Sequence, residues 1–207
     1  MNSHVSGHDF LIGALIALVM GAAFVVFGGM PLLATFVPGL AFALGLLAFL
    51  RKQNVAMAEG ARLYPLYFGT LAWQFIHFAE EYITGFRSRF PELFGSTPYS
   101  AELFVEINMI SYFVFVIAFL LVFEGRRRFL LIPVLFFVIY GAIGNAIAHT
   151  YWALWSGGYF PGLFTAQLYW VLGPMLLARL LGSWRPAIVT TTGFGIVLIA
   201  TLTLTMI

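Results

Sequence analysis

Residues 129–152, FLLIPVLFFVIYGAIGNAIAHTYW, run for 24 positions without an Asp, Glu, Lys or Arg. A bilayer core of about 30 Å is crossed by roughly 20 apolar residues in an α-helix, so this stretch is long enough to span a membrane. The whole chain has the same character, because 62% of its 207 residues are hydrophobic and 9% are charged. Soluble domains have about 25% charged residues. The composition therefore excludes a soluble globular domain and predicts an integral membrane protein.

Seven apolar stretches of this kind predict an all-α fold, a polytopic bundle of about seven transmembrane helices, as one integral membrane domain over residues 1–207. The stretches are residues 10–29, 31–50, 63–83, 101–123, 129–152, 163–181 and 186–206. Gly28, Gly29, Met30 and Pro31 lie at the junction of the first two stretches. Glycine permits a positive φ and proline suits the start of a helix, so these two helices are expected to form an antiparallel hairpin.

The ten Lys and Arg residues predict the orientation of the bundle. Two of them, Arg87 and Arg89, fall on one side, and eight fall in connections on the other side: Arg51, Lys52, Arg62, Arg126, Arg127, Arg128, Arg179 and Arg185. The positive-inside rule then predicts a cytoplasmic amino terminus in a multi-pass protein of a bacterial inner or plasma membrane. The basic residues form no stripe or arm, so the expected partner is the lipid bilayer and not nucleic acid.

Several polar residues lie where a membrane helix would normally be apolar. On the third stretch, His77, Glu80 and Glu81 share a helix face, because positions i, i+3 and i+4 coincide. Glu102 and Glu106 begin the fourth stretch, and Asn145 and His149 lie near the end of the fifth. The direction of each span places all of them in the outer half of the membrane. Each ionisable group there costs about 2.5–3.5 kcal/mol on insertion scales, so such groups face the bundle interior and pair.

Some of these residues have simpler interpretations. Glu102 follows Ser100, a candidate N-cap, and a carboxylate is favoured at the start of a helix. Asn145 and His149, taken alone, could form a hydrogen bond to a neighbouring helix. Three further carboxylates, Glu80, Glu81 and Glu106, repel one another unless a proton or a cation relieves the repulsion. The pattern therefore favours a metal or proton site, with residues 156–162 as a covering loop.

The motif residues resemble those of a family of uncharacterised membrane proteins named for its HXXEE motif. His77-Phe78-Ala79-Glu80-Glu81 matches that motif, and Asn145-Ala146-Ile147-Ala148-His149 is similar to the family's N-A-x-x-H element. Tyr159-Phe160-Pro161-Gly162, followed by Thr165, is similar to its Y-x-P-G segment. The resemblance covers about residues 63–165. It implies a multi-pass membrane domain with a metal-type site, and it implies no settled reaction.

The residue types suggest a metal-dependent enzyme. The candidate ligands are His77, Glu81, Glu106 and His149, and the chain has no cysteine to supply a thiolate. With zinc, bound water would be activated and Glu80 or Glu81 would accept its proton, while Asn145 would orient a carbonyl or stabilise an oxyanion. The substrate would be a lipid or amphiphile that enters from the outer leaflet.

Two alternatives use the same residues. A carboxylate-bridged di-iron oxidase needs several carboxylates and two histidines in a helix bundle, although its second Glu-x-x-His motif has no counterpart here. A non-enzymatic protein that binds or transports protons, cations or small molecules would also retain buried Glu and His. Zinc with hydrolysis supports the first interpretation, whereas iron with oxygen-dependent turnover supports the oxidase.

Overall fold

The computed structural model describes residues 4–207, and this part of the chain consists of helices and the turns between them. The seven helices are α1 (Gly7–Lys52), α2 (Gly60–Thr84), α3 (Phe86–Glu92), α4 (Ala101–Phe123), α5 (Arg128–Trp155), α6 (Leu163–Leu181) and α7 (Trp184–Thr205). Five of them, α1, α4, α5, α6 and α7, are long and apolar enough to cross a membrane. The predicted all-helical membrane fold is therefore confirmed.

Helix α1 is two antiparallel helices joined by a sharp turn. At Gly29 the backbone adopts φ 62° and ψ −148°, outside helical values. The halves then run side by side, since a Cβ on Gly13 would lie 2.7 Å from Leu47 Cδ2. Further along, the Arg51 guanidinium lies 5.4 Å from the centre of the Phe10 ring. The hairpin predicted from the Gly-Gly-Met-Pro sequence is present.

Helix α5 is the centre of the bundle. It packs against α1, α4, α6 and α7, and most of its residues, including all of 131–140, are buried. A helix that is apolar on all sides is expected in such a position. Small residues on its neighbours allow close approach: a Cβ on Gly39 would lie 2.8 Å from Tyr140 Cβ, and one on Gly173 would lie 2.6 Å from Ile143 Cγ1. This van der Waals packing stabilises helix association where lipid removes the hydrophobic driving force.

The connections divide between the two ends of the bundle. At one end, the Tyr99 hydroxyl donates a hydrogen bond of 2.5 Å to the carbonyl of Gly28 in the hairpin turn. Helix α2 ends here, and Ser100 caps the start of α4 by accepting a hydrogen bond of 3.1 Å from the Leu103 amide. At the other end, Arg128 donates to the His4 carbonyl at 3.0 Å. The ends of α2 and α5 and the start of α4 therefore lie together, as the sequence predicts.

Helix α5 contains a feature that the sequence does not predict. Residues Phe137–Gly144 form a π-helix between two α-helical segments. A π-helix has wider turns than an α-helix and therefore changes the direction of the side chains that follow it. Asn145 and His149 come directly after this segment.

The hairpin turn predicts a large difference between two glycines of α1. Gly29→Ala should cost about 1–3 kcal/mol of stability, because a residue with a Cβ is strained at this backbone conformation. Gly45→Ala is the matched control, since a Cβ there meets nothing within 4 Å. Thermal unfolding in detergent micelles should show a lower midpoint for the Gly29 variant only. Equal midpoints for both variants would contradict the turn geometry.

Candidate metal site

Two metal-ligating side chains come from the last turns of α2. His77 and Glu81 are four residues apart and therefore lie one above the other on a single helix face. Both are buried, with exposed fractions of 0% for His77 and 5% for Glu81. His77 Nε2 lies 3.4 Å from Glu81 Oε1. This face points toward α5 and α6, where a third side chain completes the group.

The third side chain is His149 of α5. It is fully buried, and its Nε2 lies 3.2 Å from Glu81 Oε1. The two imidazole rings have centroids 4.8 Å apart and are nearly perpendicular, at 84°. One candidate ligand atom from each of His77, Glu81 and His149 lies within 4.8 Å of the others. His77 and Glu81 of α2 therefore meet His149 of α5 in one buried group.

The hydrogen bond of His149 identifies which ring nitrogen carries the proton. Nδ1 lies 2.7 Å from the carbonyl oxygen of Pro161. A carbonyl oxygen only accepts, so Nδ1 must donate. In the neutral ring Nε2 is then unprotonated, and it has no hydrogen-bond partner in the described part of the chain. Its lone pair is directed toward Glu81.

In His77, too, Nδ1 carries the proton, and here it donates to a hydroxyl group. Its Nδ1 lies 2.8 Å from Thr165 Oγ1, and Thr165 Oγ1 donates its only proton to Glu80 Oε2 at 2.5 Å. The hydroxyl oxygen must therefore accept a hydrogen bond from Nδ1–H of His77. His77 Nε2 is also buried without a partner among the described residues. With both rings neutral, two unprotonated Nε2 atoms thus face one oxygen of a buried carboxylate.

Glu80 belongs to the surroundings of this group and not to its centre. Its carboxylate accepts hydrogen bonds from the backbone amides of Phe164 and Thr165 at 3.1 and 2.8 Å, from the Tyr159 hydroxyl at 2.8 Å and from the Thr165 hydroxyl. Partial burial and the Glu80 carboxylate raise the pKa of Tyr159, which keeps this phenol neutral and able to donate. Glu80 therefore fixes the segment between α5 and α6.

The segment between α5 and α6 packs directly against two of the candidate ligands, His149 and Glu81. At Gly162 the backbone has φ +84°, and a Cβ would lie 2.5 Å from His149 Cε1 and 3.0 Å from Glu81 Cγ. Only glycine fits both this conformation and this space. Trp73 of α2 holds the next turn by donating from its indole nitrogen to the Thr165 carbonyl at 2.9 Å. Of the loop 156–162 that the sequence suggests as a cover, Pro161 and Gly162 lie against the group.

Comparison with known proteins gives one match. A family model described as a protein of unknown function with HXXEE motif matches residues 68–178. The chain belongs to the HXXEE family. No curated protein and no solved structure matches it. The matched region contains His77, Glu80, Glu81, Asn145, His149 and the segment from Tyr159 to Thr165.

In this member of the HXXEE family, the three motif elements are parts of one assembly. The histidine and second glutamate of the motif, His77 and Glu81, face His149. The first glutamate, Glu80, accepts hydrogen bonds from Tyr159 of the Y-x-P-G segment and from Thr165, which follows that segment. The spacing of His-x-x-Glu-Glu on a helix thus directs two consecutive carboxylates to two different tasks.

The structure also places the other residues that the sequence singled out. Asn145 donates from Nδ2 to the Gly141 carbonyl at 3.0 Å and lines a cavity of about 70 Å³ that adjoins Glu81. Glu106 is exposed on α4 and is not part of the group formed by His77, Glu81 and His149. Its role as a ligand, and the catalytic roles of Glu80 and Asn145, stay predictions.

Sequence reasoning did not assign roles to Thr165 and Pro161. Because Thr165 follows the Y-x-P-G segment, the sequence indicates that it lies near the site. Nothing in the sequence indicates that its hydroxyl links Glu80 to His77. Pro161 contributes a backbone carbonyl, which any residue possesses. No residue type could have identified that contact.

The contact at Gly162 predicts a destabilised loop when a methyl group is added. Gly162→Ala should lower the stability by more than the roughly 1–3 kcal/mol of backbone strain alone, because the Cβ also overlaps His149 and Glu81. Gly157→Ala separates the two effects, since Gly157 has φ +67° and nothing within 4 Å of its Cβ position. Thermal unfolding in detergent should give the lower midpoint for Gly162→Ala. Equal midpoints would mean that the close approach to His149 is relieved without cost.

Proposed function

We propose that the chain is a membrane-embedded enzyme that holds one divalent metal ion through His77 Nε2, Glu81 and His149 Nε2. The observation that carries the proposal is the pair of fixed Nδ1 hydrogen bonds, which leaves both Nε2 atoms buried, unprotonated and unpartnered beside a carboxylate. Metal-ligating histidines almost always donate their other ring nitrogen to such an acceptor. A buried lone pair without a partner is costly, and a bound cation removes that cost.

Two of the three distances between the ligand atoms suit a single small ion, and all three atoms lie within 4.8 Å of one another. Tetrahedral zinc with bonds of about 2.0–2.1 Å separates neighbouring ligand atoms by roughly 3.3 Å. The two nitrogen to oxygen distances are 3.4 Å for His77 and 3.2 Å for His149. The group supplies one carboxylate, which favours one ion over a carboxylate-bridged pair of irons. Two histidines and one carboxylate also suit non-haem iron, so metal analysis must distinguish zinc from iron.

The proposed reaction is hydrolysis of a lipid or amphiphile. His77, Glu81 and His149 would hold the ion, and a zinc ion held by three protein ligands would supply a water whose pKa is lowered to about 7. Glu81 Oε1 lies nearest both imidazoles, and Glu81 also borders the adjoining cavity. We assign proton acceptance to its other oxygen, because the Glu80 carboxylate already receives four hydrogen bonds. Asn145 borders the same cavity and would contact the substrate.

We infer seven membrane spans with a cytoplasmic amino terminus. The two halves of α1 run antiparallel and count as two spans, and α2 packs against α4 and α6 as a further one. Eight of the ten basic residues fall in the connections that the positive-inside rule assigns to the cytoplasm. The site then lies in the outer half of a bacterial inner or plasma membrane.

Metal content tests the proposal directly. Protein purified in detergent and dialysed against zinc should retain about one ion per chain by inductively coupled plasma mass spectrometry, because three ligands are preformed. Glu81→Gln and His149→Ala should each lose it, since each removes one of the three ligands. A parallel purification without added metal should show whether zinc or iron is bound in cells.

Two exposed carboxylates of α4 provide matched controls. Glu102→Gln should leave the metal content unchanged, because Glu102 lies at the helix start beside Ser100. Glu106→Gln should also retain the ion if three residues suffice. Loss of metal from Glu106→Gln would restore the four-ligand prediction, and absence of metal from the unaltered protein would overturn the proposal.

The link from Glu80 through Thr165 to His77 predicts an effect on metal affinity. Thr165→Val keeps the shape of the side chain but removes the oxygen that accepts from His77 Nδ1, so zinc affinity should fall about 10–100-fold. Thr165→Ser keeps the hydroxyl and should retain most of the affinity. Competition with a chromogenic chelator measures both variants. An unchanged affinity in Thr165→Val would show that the hydroxyl does not orient His77.

A further inference from the structure

The cavity beside Glu81 gives information on the ligand of the site. It lies between the second half of α1 and helices α2, α3, α4 and α5, and its volume is about 70 Å³. One water occupies about 10–15 Å³ on this measure, so the cavity accepts a group larger than water. Glu81 is on its wall, whereas His77 and His149 are not. The cavity is therefore the space from which a small group reaches the carboxylate side of the site.

The wall of the cavity contains one charged residue. That residue is the acid Glu81, and the remaining lining side chains are neutral. The two basic residues at this end of the bundle are occupied elsewhere: Arg87 donates to the Tyr99 carbonyl at 3.1 Å, and the Arg89 guanidinium lies 4.9 Å from the Phe160 ring centre. A phosphate or carboxylate in the cavity would thus be buried beside a carboxylate without a neighbouring Lys or Arg. Apart from the proposed ion, nothing on the wall offsets the charge of an anion, and the Glu81 carboxylate repels it, so an anion is disfavoured relative to a neutral group of the same size.

The polar groups on the wall suit a neutral ligand. Asn145 Nδ2 donates to the Gly141 carbonyl, and its Oδ1 is an acceptor without a hydrogen-bond partner among the described residues. Asn108 is already satisfied, since it donates to the Phe104 carbonyl and accepts from the Tyr112 hydroxyl. The Ser111 hydroxyl also borders the cavity, and none of the described residues forms a hydrogen bond with it. The Ser111 hydroxyl can donate to the carbonyl oxygen of a neutral amide or ester, and Asn145 Oδ1 can accept from the N–H of an amide.

The rest of the wall is aromatic. Phe86, Phe90, Phe104, Phe115 and Phe136 line it. Such side chains bury the apolar part of a ligand, while a few polar groups fix its orientation.

We propose that the site acts on an uncharged carboxylic amide or ester of an amphiphile and excludes phosphoesters. This proposal rests on the proposed hydrolytic function. The oxygen of water bonds to the carbonyl carbon, the C–N or C–O bond breaks, and the leaving nitrogen or oxygen takes one proton of the water. The products are a carboxylic acid and an amine or alcohol, and no oxidant or reductant is required.

Ligand binding tests the proposal without requiring turnover. The zinc-loaded protein in detergent is titrated with hexanamide or hexyl phosphate, which share a six-carbon chain and differ in charge. Hexanamide should raise the thermal midpoint, and hexyl phosphate should raise it less at every concentration. An equal or larger shift with hexyl phosphate would overturn the neutral ligand class. Ser111→Leu fills the cavity and should abolish the hexanamide shift while the metal content stays unchanged. A persistent shift would place binding outside the cavity and would also overturn the proposal.

Turnover is measured separately with two probes that release the same chromophore, p-nitrophenyl butyrate and p-nitrophenyl phosphate. Discrimination through buried polar groups reaches about 10⁴-fold, so the ester should be hydrolysed at least about 100-fold more efficiently. Glu81→Gln supplies the background rate. Hydrolysis of the phosphate at the higher rate would overturn the substrate class. Binding of hexanamide without hydrolysis of either probe would overturn the hydrolytic function and retain the neutral ligand class.

Discussion

The arrangement around Glu81 depends on the cost of burying a carboxylate in an apolar bundle. Its side chain is almost fully enclosed, and its nearest polar neighbours are two imidazoles at 3.2 and 3.4 Å. An uncompensated buried charge would be strongly unfavourable, and two neutral imidazoles do not offset it, so a proton or a cation must be shared among the three groups that α2 and α5 hold in contact. The small residues Gly39 and Gly173 let α1 and α6 approach α5 closely, so α5 lies at the centre of the bundle.

The two consecutive glutamates show how one helix serves both the site and its cover. Successive residues of an α-helix are rotated by about 100°, so Glu81 faces α5 while Glu80 faces the segment that follows it. Glu80 binds the amides of Phe164 and Thr165, and Thr165 in turn accepts from His77. The orientation of His77 therefore depends, through Thr165, on the Glu80 carboxylate, which lies outside the group of His77, Glu81 and His149. Exchange of the two glutamate roles would require a rotation of the whole helix.

The sequence predicts much of this structure, and there are physical reasons why it does not predict the rest. Apolar length predicts the helices, Gly28 to Pro31 predicts the hairpin, and span direction brings His77 and Glu81 to His149. The pattern of α4 is less informative, because helical spacing shows that Glu102 and Glu106 share a face but not which face meets the bundle. In the structure Glu106 is exposed, and Ser111 and Asn108 line the cavity instead. The π-helix before Asn145 and the carbonyl of Pro161 are backbone features without a residue signature.

The enclosure of the two histidines has a consequence for selectivity under the proposed function. Both have an exposed fraction of 0%, and the loop at Pro161 and Gly162 lies against His149. Of His77, Glu81 and His149, only Glu81 borders the cavity. A molecule that reaches a bound ion must therefore pass a wall of neutral side chains and then a carboxylate. A cation by itself attracts an anionic phosphate more strongly than a neutral carbonyl oxygen, so the ion would not select the neutral group. The cavity would make that selection, because it offers hydrogen bonds to an uncharged group and no basic side chain to an anion.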